Sequence, residues 1–489
     1  MVDNQRELSL RRTAYAVTVL LLFFYFQMGQ VNYFLARSIK QGFYLYLPPV
    51  LFAGVLYFRR LRDGVEIRLF AAYFAWVVLT QILNGDRVLS RGFLFILDLS
   101  LMLPFVELGL TLDAAGRRRV LTVLAAILCV WFFALGLLGV WSFLSGTRLI
   151  NPITGGWLTN MPYAYGVTRL SMLDTNPNVV AFWYMVSLSL SVYVFFACRR
   201  KLWRVPALLS ALVDFIVIAF TECAGIMLAT SCCCGLLAAM LFWARCKSGK
   251  RLPRAAIAVV LAVLAGFGCY RAYKLCFDSR TPILHAIEEK RQPEAVPTRN
   301  LYGDATASLL SARSLPAGAA AEAAPLSAEL TMSPVVEKLN KLSNGRVRIY
   351  LAALEGIRRH PVTLLRGSAA ERVMDDVNAV LKPEGADSYS HMHNFLLQTL
   401  VLTGLIGFSL VLVICVRLLL SAWRLCFSEK LKLPFAERTL ALPLIACLII
   451  GQFESGFFNY TDERTLFFYL IAGFVLGTCR EGRRSTAIG

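Results

Sequence analysis

Long apolar runs separated by short polar segments dominate the chain. A helix needs about 17 to 25 apolar residues to cross roughly 30 Å of hydrocarbon at about 1.5 Å per residue. The runs predict twelve transmembrane helices near residues 13–35, 41–58, 67–84, 92–111, 119–144, 178–197, 205–221, 224–244, 255–273, 394–416, 439–457 and 465–478. The first run is long and soon followed by a second, which favours a retained span over a cleaved signal peptide. The pattern therefore predicts an all-α polytopic membrane protein.

Composition supports the same class. Hydrophobic residues make up 57% of the 489 residues, aromatic residues make up 12%, and the mean hydropathy is +0.60. A soluble globular protein of this length carries a much larger polar share. The lipid bilayer is thus the expected environment of most of the chain.

The positive charge is distributed according to a membrane topology. Lys and Arg clusters follow every second span, as at Arg59 to Arg62 and at Arg199 to Arg204. Basic residues resist translocation, so this alternation places both termini in the cytoplasm. The net charge of +19 is explained by topology, and nucleic-acid binding is not needed to account for it.

One long polar segment, 274–393, interrupts the spans and is predicted to lie outside the cytoplasm. It contains 15 basic and 14 acidic residues and all four histidines of the chain, namely His285, His360, His391 and His393. Its part 291–335 is rich in Ala, Pro and Ser, which is typical of a flexible tether. The chain thus divides into spans one to nine (1–273), this loop (274–393), and the last three spans with a cytoplasmic tail (394–489).

The second part of the loop carries an amphipathic pattern. Residues 346–360 predict a helix ended by Pro361, with an apolar stripe formed by Val347, Tyr350, Leu351, Leu354 and Ile357. Such a helix lies on the membrane surface or caps the bundle, with Arg346 at its start. Contact with lipid headgroups is an equal alternative to a specific role for Arg358 and Arg359.

His391 and His393 stand where the tenth span begins. The positive end of a helix dipole disfavours imidazolium, so a histidine at this place stays neutral and can accept a proton. From position alone, an interfacial histidine without a catalytic role is an equal alternative.

Three motifs in this order resemble the O-antigen ligase and O-antigen polymerase family of membrane glycosyltransferases. They comprise Arg169 with Pro177 and Asn178; then Arg346, Tyr350, Ala353, Leu354, His360, Pro361 and Gly367; and finally His393, Asn394, Leu396, Leu397, Gln398, Leu400, Gly404 and Gly407. All three fall on the predicted outer face. The resemblance spans roughly residues 165 to 420 and agrees with a GT-C-like layout of twelve spans and one large loop.

One family feature is absent. Where the family usually has a Ser-Arg pair after the seventh span, this chain reads Thr221, Glu222 and Cys223. A second positive charge could come from Arg169, Arg348 or Arg366. Glu222 could instead hold one of these arginines in place.

The resemblance implies transfer of a glycan from a polyprenyl diphosphate carrier to a hydroxyl of a glycan or glycolipid acceptor, at a bacterial inner membrane. His393 is the expected general base and Arg346 the first diphosphate ligand, followed by Arg169. Asn394, His391, Arg348, Arg366 and Glu222 are further substrate-binding candidates. The outer segments contain neither a DxD-like metal motif nor paired carboxylates placed for a retaining mechanism, so an inverting, metal-free reaction without a cofactor is expected.

Other interpretations remain open at this stage. Asp98, Asp214 and Glu454 lie within or near spans, where pairing between helices is commoner than a role in an active site. A transporter or flippase of lipid-linked glycans explains the topology equally well, although no inverted repeats are evident. A non-catalytic scaffold of envelope assembly is a third class.

Overall fold

A computed structural model describes the helical parts of the chain. The described residues are 65–84, 103–145, 147, 149, 169–172, 177–198, 200–246, 251–280, 333–342, 345–368, 377–378, 392–454, 457 and 463–488. They are almost entirely helical and contain no β-strand. The first two predicted spans and most of the predicted tether 291–335 lie outside the described residues.

Fourteen α-helices lie within the described residues. They are α1 Val65–Leu83, α2 Leu103–Thr111, α3 Ala114–Ser145, α4 Pro177–Ala197, α5 Arg204–Thr221, α6 Ala224–Arg245, α7 Arg251–Asp278, α8 Pro334–Leu342, α9 Arg346–Arg359, α10 Pro361–Arg366, α11 Phe395–Phe427, α12 Phe435–Arg438, α13 Ala441–Ile450 and α14 Glu463–Ile488. Seven of them, α1, α3 to α7 and α11, are long and apolar enough to cross a membrane. The all-helical membrane architecture is confirmed, and the count of twelve spans stays a prediction.

The predicted spans that the structure describes in full each coincide with a helix, but the eleventh span does not. Residues 92–102 of the fourth predicted span lie outside the described residues. The run 439–457 predicts one continuous span, whereas α13 ends at Ile450 and is followed by a turn over residues 451–454. The carbonyl of Gly451 accepts a hydrogen bond from the Phe395 backbone N–H at 2.8 Å. The carbonyl of Gln452 accepts a hydrogen bond from Asn394 Nδ2 at 3.3 Å. The chain leaves the helix here because the carbonyls of the turn bond to the start of α11, a partner that hydropathy does not reveal.

Close helix crossings depend on small residues. Gly109 in α2 lies against Gly473 in α14, so that a Cβ built on Gly109 would lie 2.0 Å from the Gly473 carbonyl carbon. Gly235 in α6 meets the backbone of α7 in the same way, at 2.2 Å from the carbonyl oxygen of Ala262. Such contacts let backbones approach closely where apolar burial gives little preference between protein and lipid.

Helix α11 is broken near its start, and the preceding loop docks into the break. Gly404 has φ 65° and ψ −171° within an otherwise helical run, and its Cβ position would lie 2.3 Å from the Leu365 carbonyl oxygen. Ser368 donates its N–H to the Val401 carbonyl at 2.9 Å, and Trp76 Nε1 donates to the Thr403 carbonyl at 2.7 Å. Other elements thus satisfy carbonyls near the break, as low-dielectric surroundings require.

Helix α9 caps one end of the bundle. Its buried face consists of Ile349, Ala352, Ala353 and Gly356, and it packs with Met392, Val401 and Leu402. Tyr350 and Ile357 of the predicted stripe are partly buried at this contact. Leu354 is 51% exposed, so that member of the stripe was wrong. Small residues form the contact face because α9 lies close to α11. A stripe predicted from hydropathy selects large apolar residues such as Leu354 and overlooks alanine and glycine.

We predict that Gly404→Ala destabilises the protein. The residue has a left-handed φ, and the added methyl group would meet backbone atoms that carry the docked loop. The expected result is a lower midpoint of thermal unfolding in detergent and less protein in the membrane.

Gly268→Ala is the matched control, because Gly268 is helical in α7 and a Cβ there meets nothing within 4 Å. This variant should unfold at or slightly above the wild-type temperature. Equal midpoints for both variants would contradict the assigned role of Gly404.

Candidate active site

Five charged side chains surround a cavity of about 220 Å³ at the end of the bundle that α9 caps. We call this end the site end. The cavity is formed by the segment before α4, the α5–α6 turn, the first residue of α9, the turn after α13 and the start of α14. Its polar lining consists of Arg169, Asn178, Glu222, Arg346, Glu454 and Arg464. Three guanidinium groups and two carboxylates therefore face one small space.

Arg169 is held by two neutral acceptors. Its Nε donates to the Thr221 carbonyl at 2.7 Å, and its Nη2 donates to Oδ1 of Asn178 at 2.8 Å. These bonds orient the guanidinium without neutralising it. The N–H groups on Nη1 donate to none of the described residues, which leaves them available to an anion.

Arg346 is the first residue of α9 and follows Gly345, whose φ is 84°. Its guanidinium carbon lies 5.8 Å from the centre of the Phe453 ring. Within the described parts of the chain it makes no hydrogen bond or ion pair. A cation that lines a cavity and is held only against an aromatic ring is well placed to bind an anionic group.

The start of α11 holds His393 and Asn394 firmly. Asn394 caps the helix, since its Oδ1 accepts the Leu397 N–H at 2.9 Å, and its Nδ2 donates to the Gln452 carbonyl at 3.3 Å. The Tyr350 hydroxyl donates to the His393 carbonyl at 3.1 Å. Burial raises the pKa of Tyr350, which keeps this hydroxyl a neutral donor. Together these bonds fix the backbone on both sides of the histidine.

His393 adopts an unusual backbone conformation, with φ 51°. A non-glycine residue in this region costs about 1 kcal/mol or more and persists only where its surroundings impose it. The ring is not itself part of the cavity lining. Its Nδ1 lies 3.9 Å from Oε2 of Glu454, which does line the cavity.

Glu222 occupies the position where the family arginine is absent. Its φ is 55°, and its Oε2 lies 3.4 Å from Nη2 of Arg280, which is only 4% exposed. Burial lowers the pKa of Arg280, and the Glu222 carboxylate opposes that effect. Glu222 therefore pairs with Arg280, rather than with Arg169, Arg348 or Arg366 as the sequence suggested.

Two predicted substrate-binding residues do not reach the cavity. Arg348 is exposed, because two residues along a helix correspond to a rotation of about 200° away from Arg346. Its backbone N–H donates to Oδ1 of Asn340 at 2.9 Å. Arg366 is also exposed, at the end of α10. Neither arginine lines this cavity, and their assignment to substrate binding stays a prediction. His391 lies outside the described residues.

Sequence reasoning missed two arginines. Arg464 lines the cavity from the first turn of α14, with its Nη1 4.0 Å from Oε2 of Glu454. A basic residue directly before the last span, on the predicted outer face, was the available signal. Arg280 follows α7 and gave no comparable signal. Glu454, for which the sequence favours pairing between helices, also lines the cavity.

Comparison with known families supports the motif resemblance. The family model described as O-antigen ligase matches residues 209–412. No curated protein matches the chain. The match confirms the resemblance to the O-antigen ligase and polymerase family, and it supports a membrane glycosyltransferase of that type as the general class. The matched range includes Glu222, Arg346, His393 and Asn394, whereas Arg169 lies outside it.

Proposed function

We propose that this protein is an inverting, metal-independent glycosyltransferase that moves a glycan from a polyprenyl diphosphate to an acceptor hydroxyl. The observation that carries the proposal is the convergence of Arg169, Arg346 and Arg464 on one cavity, with His393 beside its wall. We further propose that the site end faces the extracytoplasmic side, where the diphosphate leaving group supplies the driving force.

The arginines provide the electrostatic part of the reaction. Cleavage of the bond between the sugar C1 and the diphosphate oxygen leaves negative charge on the diphosphate. Guanidinium groups stabilise that charge with charge-assisted, often bidentate hydrogen bonds. Arg346 and Arg169 have N–H groups available for this role, while Arg464 also interacts with Glu454.

His393 provides the proton transfer. The acceptor hydroxyl attacks C1 from the face opposite the diphosphate, and the imidazole takes the hydroxyl proton as the new bond forms. This single displacement inverts the anomeric carbon. Glu222 is engaged by Arg280, and Glu454 lies between His393 and Arg464, so neither carboxylate is assigned as a nucleophile.

One assay distinguishes the proposal from its rivals. Purified protein in detergent or liposomes is mixed with labelled polyprenyl-diphosphate glycan and a panel of acceptors. A product with a new glycosidic bond supports the transferase. Movement of the donor across the liposome membrane without bond exchange would indicate a flippase. If neither product nor movement is detected, the protein would be a scaffold.

We predict that turnover persists in excess EDTA. Guanidinium groups, in place of a divalent cation, are assigned to neutralise the leaving diphosphate. The measurement is the initial rate of product formation with and without chelator. Loss of the rate in EDTA and its return on addition of Mg²⁺ or Mn²⁺ would contradict the metal-independent mechanism.

Arg346→Lys should lower turnover by about a hundredfold or more. The ammonium keeps the charge, but it cannot form the planar fork that binds a diphosphate bidentately. Arg348→Lys is the matched control, since it lies on the same helix, is exposed and does not line the cavity. A wild-type rate in Arg346→Lys would remove Arg346 from the site.

His393→Ala should lower turnover by about two to four orders of magnitude, because it removes the assigned general base. Donor binding should weaken far less, and the protein should reach the membrane in normal amount. His391→Ala is the companion variant and should retain most activity. Should His391→Ala be inactive while His393→Ala is normal, the assignment is reversed; activity in both would end the histidine mechanism.

A further inference from the structure

Glu454 occupies the point where the proposed base meets the charged cavity. Its carboxylate is 14% exposed, and each of its oxygens has a polar neighbour. Oε2 lies 3.9 Å from Nδ1 of His393 and 4.0 Å from Nη1 of Arg464. Oε1 accepts a hydrogen bond from Nδ2 of Asn178 at 3.4 Å, and Oδ1 of the same asparagine accepts one from Arg169. One carboxylate thus connects the histidine with two of the three cavity arginines.

The other carboxylate of the cavity cannot serve the same purpose. Glu222 is directed to Arg280 at 3.4 Å, on the turn between α5 and α6. Glu454, by contrast, has its Oε2 3.9 Å from Nδ1 of His393. The two acids therefore differ in partner, although they share a cavity.

Positive groups near His393 give the negative charge of Glu454 a large effect on the protonation of the imidazole. Arg464, whose Nη1 lies 4.0 Å from the same Glu454 oxygen, disfavours a positive charge on the imidazole, and Arg169 and Arg346 line the adjoining cavity. The start of α11 acts in the same direction through its dipole. The neighbouring Tyr350 is a neutral hydroxyl donor to the His393 backbone, and Glu222 is already paired. The Glu454 carboxylate, 3.9 Å from Nδ1 of His393, offsets these positive groups.

We propose that Glu454 is the positioning residue for His393: it orients the imidazole through Nδ1 and stabilises the imidazolium that forms during transfer. This inference rests on the proposed function and deepens it. The residue acts through His393, so it is not assigned contact with the reacting atoms.

The proton balance is simple. The neutral imidazole carries its proton on Nδ1, facing Glu454, and Nε2 accepts the proton of the acceptor hydroxyl. As the oxygen–C1 bond forms, the bond from C1 to the diphosphate breaks and its electron pair leaves with the diphosphate. Glu454 stays ionised throughout, and the imidazolium later releases the Nε2 proton to water.

The test measures the titration of His393 directly. The chain contains only four histidines, so NMR with ¹³C at the histidine Cε1 can follow them individually, and the signal lost in His393→Ala identifies His393. In Glu454→Gln, the pKa of His393 should fall by about one pH unit or more, because a nearby opposite charge is removed. Glu454→Asp should keep the pKa near the wild-type value.

Two further variants provide controls on the same cavity. Glu222→Gln removes a carboxylate that is paired with Arg280 and should leave the titration of His393 where it is in the wild type. Arg464→Gln removes a competing cation from Glu454 and should raise the pKa of His393. The expected pKa shift in Arg464→Gln is opposite to that in Glu454→Gln. The Arg464 variant therefore still tests the inference if Glu454→Gln does not accumulate in the membrane.

Kinetics supply the second measurement. A general base loses activity as pH falls through its pKa, so the acidic limb of kcat/KM should move to lower pH in Glu454→Gln, with an about tenfold lower kcat. A purely structural role would lower the yield of protein without moving that limb.

An unchanged His393 titration in both Glu454→Gln and Arg464→Gln would overturn the inference. Failure of the proposed function would look different, since the wild-type protein would then form no glycosidic bond with any acceptor. The NMR titration would still decide whether Glu454 controls the charge of His393.

Discussion

The hydrogen-bonded turn after α13 holds the site together. Its carbonyls at Gly451 and Gln452 have left the helix and would be costly without donors in surroundings of low dielectric. The Phe395 N–H satisfies Gly451 at 2.8 Å, while Asn394 and Tyr350 approach Gln452 at 3.3 and 3.5 Å. Satisfying these carbonyls joins the start of α11, the cap helix α9 and the end of α13.

The same turn carries Phe453 and Glu454 into the cavity. Gly451 allows the close approach, since a Cβ there would lie 2.5 Å from the Phe395 ring. Phe453 lies beneath the Arg346 guanidinium, and Glu454 lies between His393 and Arg464. Bonds that satisfy the backbone therefore also set the positions of the charged side chains.

The cavity keeps a positive character because its arginines are held mainly by neutral groups. A backbone carbonyl and an asparagine orient Arg169, and an aromatic ring supports Arg346. Full ion pairing would have cancelled the field that an anionic substrate needs. Two of the three described non-glycine residues with positive φ, Glu222 and His393, lie at this site, where backbone strain is offset by surrounding contacts.

The sequence by itself determined the membrane class, most helix positions and three motifs, because hydropathy length and local residue patterns are properties of short segments. It could not determine which arginines meet. Arg346 and Arg348 look alike in the chain, but the helix rotation turns only Arg346 to the cavity. Arg464 and Arg280 come from helix ends remote in sequence, and their partners depend on how those ends pack. The break after Ile450 also needed the tertiary structure, since its cause is a hydrogen bond from Phe395, more than fifty residues away.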